Sequence, residues 1–142
     1  MKLVSRVFFT VCVLLMCTNF AIADGAKNPK ELASKVKQAI VAKDSKTISA
    51  LYNWEGVKPD IEKQLKESIE GMLEEPARKA EVRPLPKDFQ AVQEMDGKEF
   101  KQNLKVEGVI TLVYSPEDES AIATMPYGAK NGRYYFSAPI IK

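Results

Sequence analysis

The chain has 142 residues, in which 21 Lys and Arg face 19 Asp and Glu, and it contains no histidine at all. Both cysteines, Cys12 and Cys17, lie near the N-terminus. Without His, the Ser-His-Asp and Cys-His arrangements of nucleophilic catalysis cannot be assembled, and the usual zinc and non-haem iron sites lose their main ligands. The near-even charge gives no electrostatic footprint for nucleic acid, so the sequence predicts neither a cofactor nor a metal nor a nucleic-acid partner.

The first segment reads as an export signal. Lys2 and Arg6 form a positive start, Val7 to Cys17 carries no charge, and Ala21-Ile22-Ala23 offers small residues at the two positions a signal peptidase reads. The expectation is a signal peptide over residues 1–23, cleavage near Ala23, and a periplasmic or extracellular domain over residues 24–142. An uncleaved anchor is the first alternative, but the apolar core spans 11 residues, whereas a spanning helix needs about 20. Lipidation at Cys17 is the second, and Met16 stands where that signal requires a small residue. Cleavage would remove both thiols, so the exported domain would hold no disulfide and would have no membrane attachment. Lys2 and Arg6 would leave with the leader, making the remaining acidic and basic side chains equal in number.

After a frayed lead-in at residues 24–27, Asn28-Pro29-Lys30-Glu31 combines an N-cap, a proline at the first helical position and a capping-box glutamate. Leu32, Val36, Ala39 and Ile40 then form one apolar stripe, with lysines on the wet face. Asp44 caps a second, shorter helix presenting Ile48, Leu51 and Tyr52 and ending near Asn53. A loop holds the only tryptophan, Trp54, and Pro59 opens a third helix with Ile61, Leu65, Ile69 and Met72 on one side. Its Glu62–Lys66, Lys63–Glu67 and Lys66–Glu70 spacings suit i,i+4 pairs.

Beyond Pro76 the pattern alternates. Lys79 to Leu85 is predicted as a strand that Pro84 and Pro86 confine to an edge. Phe89–Met95 and Lys98–Gln102 flank Asp96-Gly97, and Ser120–Tyr127 and Arg133–Ile140 flank Asn131-Gly132, two hairpin signals. Leu104 to Tyr114 is predicted as one long strand. Leu104, Val106, Ile110, Leu112 and Tyr114 occupy one face, Val109 and Val113 the other, and Gly108 marks a bulge or bend. Pro116 to Glu119 lacks the alternating oxygen ligands of a calcium loop and reads as a solvated turn.

Three helices followed by antiparallel strands predict an α+β fold with N-terminal helices packed on a strongly curved antiparallel sheet. This order resembles the nuclear transport factor 2-like (cystatin-like) superfamily. Leu51-Tyr52-Asn53-Trp54-Glu55-Gly56-Val57 and the run from Pro126 to Tyr135 are similar to segments of small exported bacterial proteins of unknown role. The resemblance implies a cone with a pocket at its wide end, which in some members houses an Asp or His base and tyrosine donors.

No residue here matches such a base directly. Glu55, beside Trp54, and Glu107, on the predicted strand, are the two candidate carboxylates; each is equally at home as a surface group. Trp54, Tyr114, Tyr127 and Tyr135 are the candidate ligand-binding side chains, because they join a large apolar area to a polar tip. The functional expectation is an exported, non-catalytic domain that binds a small apolar or amphipathic ligand or a protein partner. An acid–base enzyme using Glu55 or Glu107 is the second alternative. A structural homodimer through the face carrying Val109 and Val113 is the third.

Overall fold

In the computed structural model, which describes residues 25–115, 117 and 122–142, the first helix (α1, Pro29–Val41) starts where the capping residues place it. The Asn28 side chain accepts from the Glu31 N–H at 2.8 Å, and the Glu31 carboxylate reaches back to the Lys27 N–H at 3.3 Å. Leu32, Ala33, Val36, Ala39 and Ile40 are buried along one stripe. Asp44 caps α2 (Ser45–Ala50) by accepting from both the N–H and the hydroxyl of Thr47. Pro59 opens α3 (Pro59–Met72), whose first turn carries Asp60 and Glu62 next to the positive end of the helix dipole. The Glu62–Lys66 pair forms at 2.8 Å. The segment expected to be an export signal, residues 1–23 with Cys17, and the expected turn at residues 116–119, apart from residue 117, lie outside the described residues.

Among the described residues seven strands follow: β1 (Lys79–Pro84), β2 (Val92–Met95), β3 (Lys98–Gln102), β4 (Gly108–Val113), β5 (Ile122–Lys130), β6 (Arg133–Phe136) and β7 (Pro139–Ile141). The fold is α+β, with wholly antiparallel strand pairing. The single strongly curved sheet is not what forms: the strands divide into sheets ordered β1-β4-β5-β6 and β2-β3-β7, and neither is strongly curled. The division occurs because the predicted strand at residues 133–140 breaks at Ser137-Ala138. Its first half pairs with β5 and its second half with β3.

Both hairpins turn on left-handed pairs, Asp96 and Gly97 at φ 53° and 74°, and Asn131 and Gly132 at φ 52° and 76°. This is the backbone signature of the tight turn whose twist matches the flanking strands. β1 is an edge strand, as its prolines require. β4 is shorter than expected. Leu104 to Glu107 lies outside it because the Glu107 N–H and Gly108 both address Tyr127, two residues opposite one, which is a bulge. Residues 108–112 are buried on both faces: Ile110 and Leu112 join the core beneath the helices, and Val109, on the opposite face, is only 2% exposed.

The lead-in is pinned rather than frayed. Ala26 exchanges two backbone hydrogen bonds with Tyr134, at 2.9 and 2.8 Å, and is fully buried. The carbonyl of Gly25 accepts from Lys35 Nζ at 2.9 Å. Gly25 also lies flat under the Tyr135 ring, where a Cβ would come within 2.8 Å of ring carbons. Next along the same edge, Phe136 donates to Leu51 at 2.8 Å and accepts from the Asn53 N–H at 2.9 Å. The outer edge of β6 is therefore closed by two separate segments, and Phe136, with no exposed surface, sits at the centre of the core.

Two chemically identical substitutions should have opposite effects. A Cβ on Gly128 would lie 2.3 Å from the Lys105 carbonyl oxygen, a backbone atom that cannot swing away, so Gly128→Ala should destabilise by about 2–3 kcal/mol. Gly71 is in a helix with open space around it, so Gly71→Ala should stabilise by about 0.5–1 kcal/mol. Denaturant midpoints at constant slope check both.

Candidate functional site

The loop joining α2 to α3 is short of regular structure yet firmly held. Its start is fixed by the Leu51 and Asn53 bonds to Phe136, which form an isolated parallel bridge at Tyr52. Tyr52 packs between Phe136 and Trp54, with ring centroids 5.4 Å from each. Burial pushes the Tyr52 phenol up to about 12. The half-buried Trp54 indole donates to the Ser49 carbonyl at 2.7 Å, which locks the ring against the end of α2. The Lys66 ammonium stands over the Trp54 ring at 5.6 Å while also pairing with Glu62. Lys66 in turn lines an open groove of ≈ 520 Å³ along α3 with Pro59, Glu62, Lys63, Glu67 and Glu70.

On its other side the loop is tied to the sheets by Asn103. The Asn103 amide donates to the carbonyls of Asn53 at 2.6 Å and Glu55 at 3.2 Å, and its oxygen accepts from the Ala138 N–H at 2.9 Å and the Ser137 hydroxyl at 3.3 Å. One side chain thus joins the loop to the break between β6 and β7. Asn53 is 7% exposed; its side-chain oxygen accepts from Lys130 Nζ at 3.5 Å, and its buried Nδ2 has no hydrogen-bond partner among the described residues. Lys130 also pairs with the exposed Glu55 carboxylate. The hydrogen bond from Lys130, then its positive charge, hold the Glu55 carboxyl below its ordinary value. Glu55 is thereby suited to accept hydrogen bonds as a carboxylate, not to carry a proton near neutrality.

The remaining candidates lie elsewhere. Tyr127 is 6% exposed, with its ring edge-on to Tyr134 at 6.1 Å and its hydroxyl against Gly108. Burial, then the negative charge of Glu107, raise its phenol. Glu107 itself is exposed. Tyr114 follows β4, half-buried against the core, and its phenol is raised by burial and by Glu75. Tyr135 covers Gly25. The structure therefore holds Trp54 and Glu55 on one loop and sets Tyr127 near Glu107, while Tyr114 lies against the core and Tyr135 against Gly25. Among the described residues, no three acidic side chains converge in a way that could hold a metal ion.

Sequence reasoning missed Lys66, Asn103 and Lys130. Lys130 immediately precedes the Asn131-Gly132 turn, and Asn103 follows β3, so both mark element ends, but their spacing from Glu55 carries no local signal. No protein-family model matches the chain, and no curated protein matches it in sequence.

Removing the Asn103 side chain would leave two carbonyls and one N–H without partners, so Asn103→Ala should cost about 2–3 kcal/mol. Asn103→Asp should cost no less, because a carboxylate faces those two carbonyls without a donor. Chemical denaturation of both variants checks this.

Glu55 has a depressed folded value, so its contribution is complete above the ordinary value of 4.5 and is lost as pH falls through the lowered one. The difference in melting temperature between the parent chain and Lys130→Met should accordingly shrink below that pH. Tyr52 has the opposite sign: its contribution is complete below 10.0 and lost as pH rises through about 12. A tyrosinate absorbance step near that upper value should be present in the parent chain and missing from Tyr52→Phe.

Proposed function

We propose that the chain is an exported, non-catalytic binding domain that takes a small amphipathic ligand against Trp54 and the groove along α3. The observation that carries this is the immobilised Trp54, hydrogen-bonded to Ser49 and standing under Lys66, which itself lines the groove. An aromatic face fixed in advance costs little entropy on binding. The stems of Lys63 and Lys66 give the groove apolar surface, and its polar rim sets their ammonium groups among the carboxylates of Glu62, Glu67 and Glu70, which suits the polar head of an amphipathic molecule. Catalysis is disfavoured because Glu55 is ion-paired and the exposed Glu107 stands beside a tyrosine buried in the core.

Export is supported by Lys2, Arg6, the uncharged run to Cys17 and Ala21-Ile22-Ala23. Among the described residues, no helix is long and apolar enough to cross a membrane. The resemblance to the nuclear transport factor 2-like cone favours small-molecule binding. The Trp54 groove, however, lies along a helix, so the proposal stands on side chains more than on that fold.

Native mass spectrometry of the protein purified from its own compartment tests this. A mass starting at Asp24 with a co-purifying small molecule, lost in Trp54→Ala, is the expected result. A ligand-free protein that binds neither dodecanoate nor dodecylamine in calorimetry would overturn the ligand proposal. A mature mass starting at Met1 would overturn export.

A further inference from the structure

We propose that the free edge of β1, with the trough between it and α1, docks an extended acidic segment of a partner protein, which adds to the sheet as a further strand. This surface is separate from the Trp54 groove and goes beyond the ligand assigned there.

The backbone supplies the template. Ser137 donates to Pro126, while Tyr134 and Phe136 turn their backbone groups away from β5. Antiparallel alternation carried across the sheet then gives Gly108, Ile110 and Leu112 to β5, and Val109, Thr111 and Val113 to β1. In β1 it is therefore Lys79, Glu81 and Arg83 that bond inward, and Ala80 and Val82 whose N–H and C=O groups face out. Among the described residues, no backbone group pairs with them. Val82 is 39% exposed. The opposite edge of the same sheet is closed at Tyr134 and Phe136, so within this sheet an added strand joins at β1.

The trough supplies the selectivity. Ala80 and Val82 pair with Leu112 and Ile110, which places their side chains on the helix-covered face. An open trough of ≈ 480 Å³ runs where they meet α1, lined on the helix side by Lys30, the small Ala33 and Ser34, and Lys37. Glu81, the acidic residue among those lining the trough, alternates to the other face of β1, where Arg83 binds its carboxylate through Nε at 3.1 Å and Nη2 at 2.6 Å, and that contact lowers its carboxyl. Lys30 and Lys37 have no ion pair among the described residues, so the rim is net positive. An added strand directs alternate side chains into the trough, and carboxylates there meet the two ammonium groups. A second copy of the chain fits less well, because its β1 offers Lys79 and Arg83 with a single carboxylate, Glu81, that Arg83 already binds.

The test titrates the full chain with a capped seven-residue peptide of alternating Thr and Glu, and with the counterpart in which Lys replaces Glu. Saturable binding of the acidic peptide alone is expected, weakened about tenfold by the double variant Lys30→Glu/Lys37→Glu. It should weaken further with salt. Backbone amide shifts should concentrate at residues 80–83. Val82→Pro removes an outward N–H without removing a ladder bond; it should abolish binding, and its thermal melt reports whether the fold survives. If that variant does not fold, the lysine variant, which touches only the surface, decides. Equal binding of both peptides, no saturation, shifts centred elsewhere, or self-association through β1 would each overturn the proposal.

Discussion

Everything in this molecule depends on how the outer edge of β6 is satisfied. An exposed edge strand leaves a row of unpaired backbone groups, and here Tyr134 and Phe136 present theirs away from β5. Ala26 takes those of Tyr134, while Leu51 and Asn53 take those of Phe136. Both partners flank helices: the first precedes α1 and the second follows α2. The same three residues that close the edge therefore also fix the two ends of the α1–α2 pair over the sheet, with Phe136 buried beneath.

Two further properties descend from this closure. The loop that pairs with Phe136 continues into Trp54 and Glu55, so a stretch without regular structure is as well positioned as a helix and can hold an aromatic ring still. Immediately after Phe136 the chain leaves one sheet for the other, and Asn103 is the side chain that accommodates the change by bonding to both the loop and the new strand. The sheet is left asymmetric, with β6 sealed and β1 open on the described residues, which is what gives the trough beside α1 its meaning.

Much of the fold was legible because local chemistry decided it. Asn28, Pro29 and Glu31 could do little but start a helix, and Asp96-Gly97 and Asn131-Gly132 adopt the left-handed pairs that their residue types allow at low cost. Pro84 kept β1 at an edge. What was not legible is non-local. Nothing in the apolar alternation from Arg133 to Ile140 says that the strand changes sheets at Ser137, and nothing in Gly25-Ala26 says that these residues will be held by Tyr134 and Lys35. Tyr127 and Tyr135 read as ligand candidates because an aromatic side chain carries the same pattern whether it meets a ligand or a glycine. The structure sets them against Gly108 and Gly25. Trp54 and Glu55 were visible as chain neighbours, whereas Lys130, 75 residues away from Glu55, reaches that carboxylate only through the fold.

Native-state hydrogen exchange measured amide by amide tests the central claim, that one edge of the β1-β4-β5-β6 sheet is sealed by the helical layer and the other is open. The account predicts that Tyr134 and Phe136 exchange only through global unfolding, while Ala80 and Val82 in the free protein exchange with little protection. Rapid exchange at Phe136, or strong protection of Ala80 and Val82 in the isolated monomer, would contradict it.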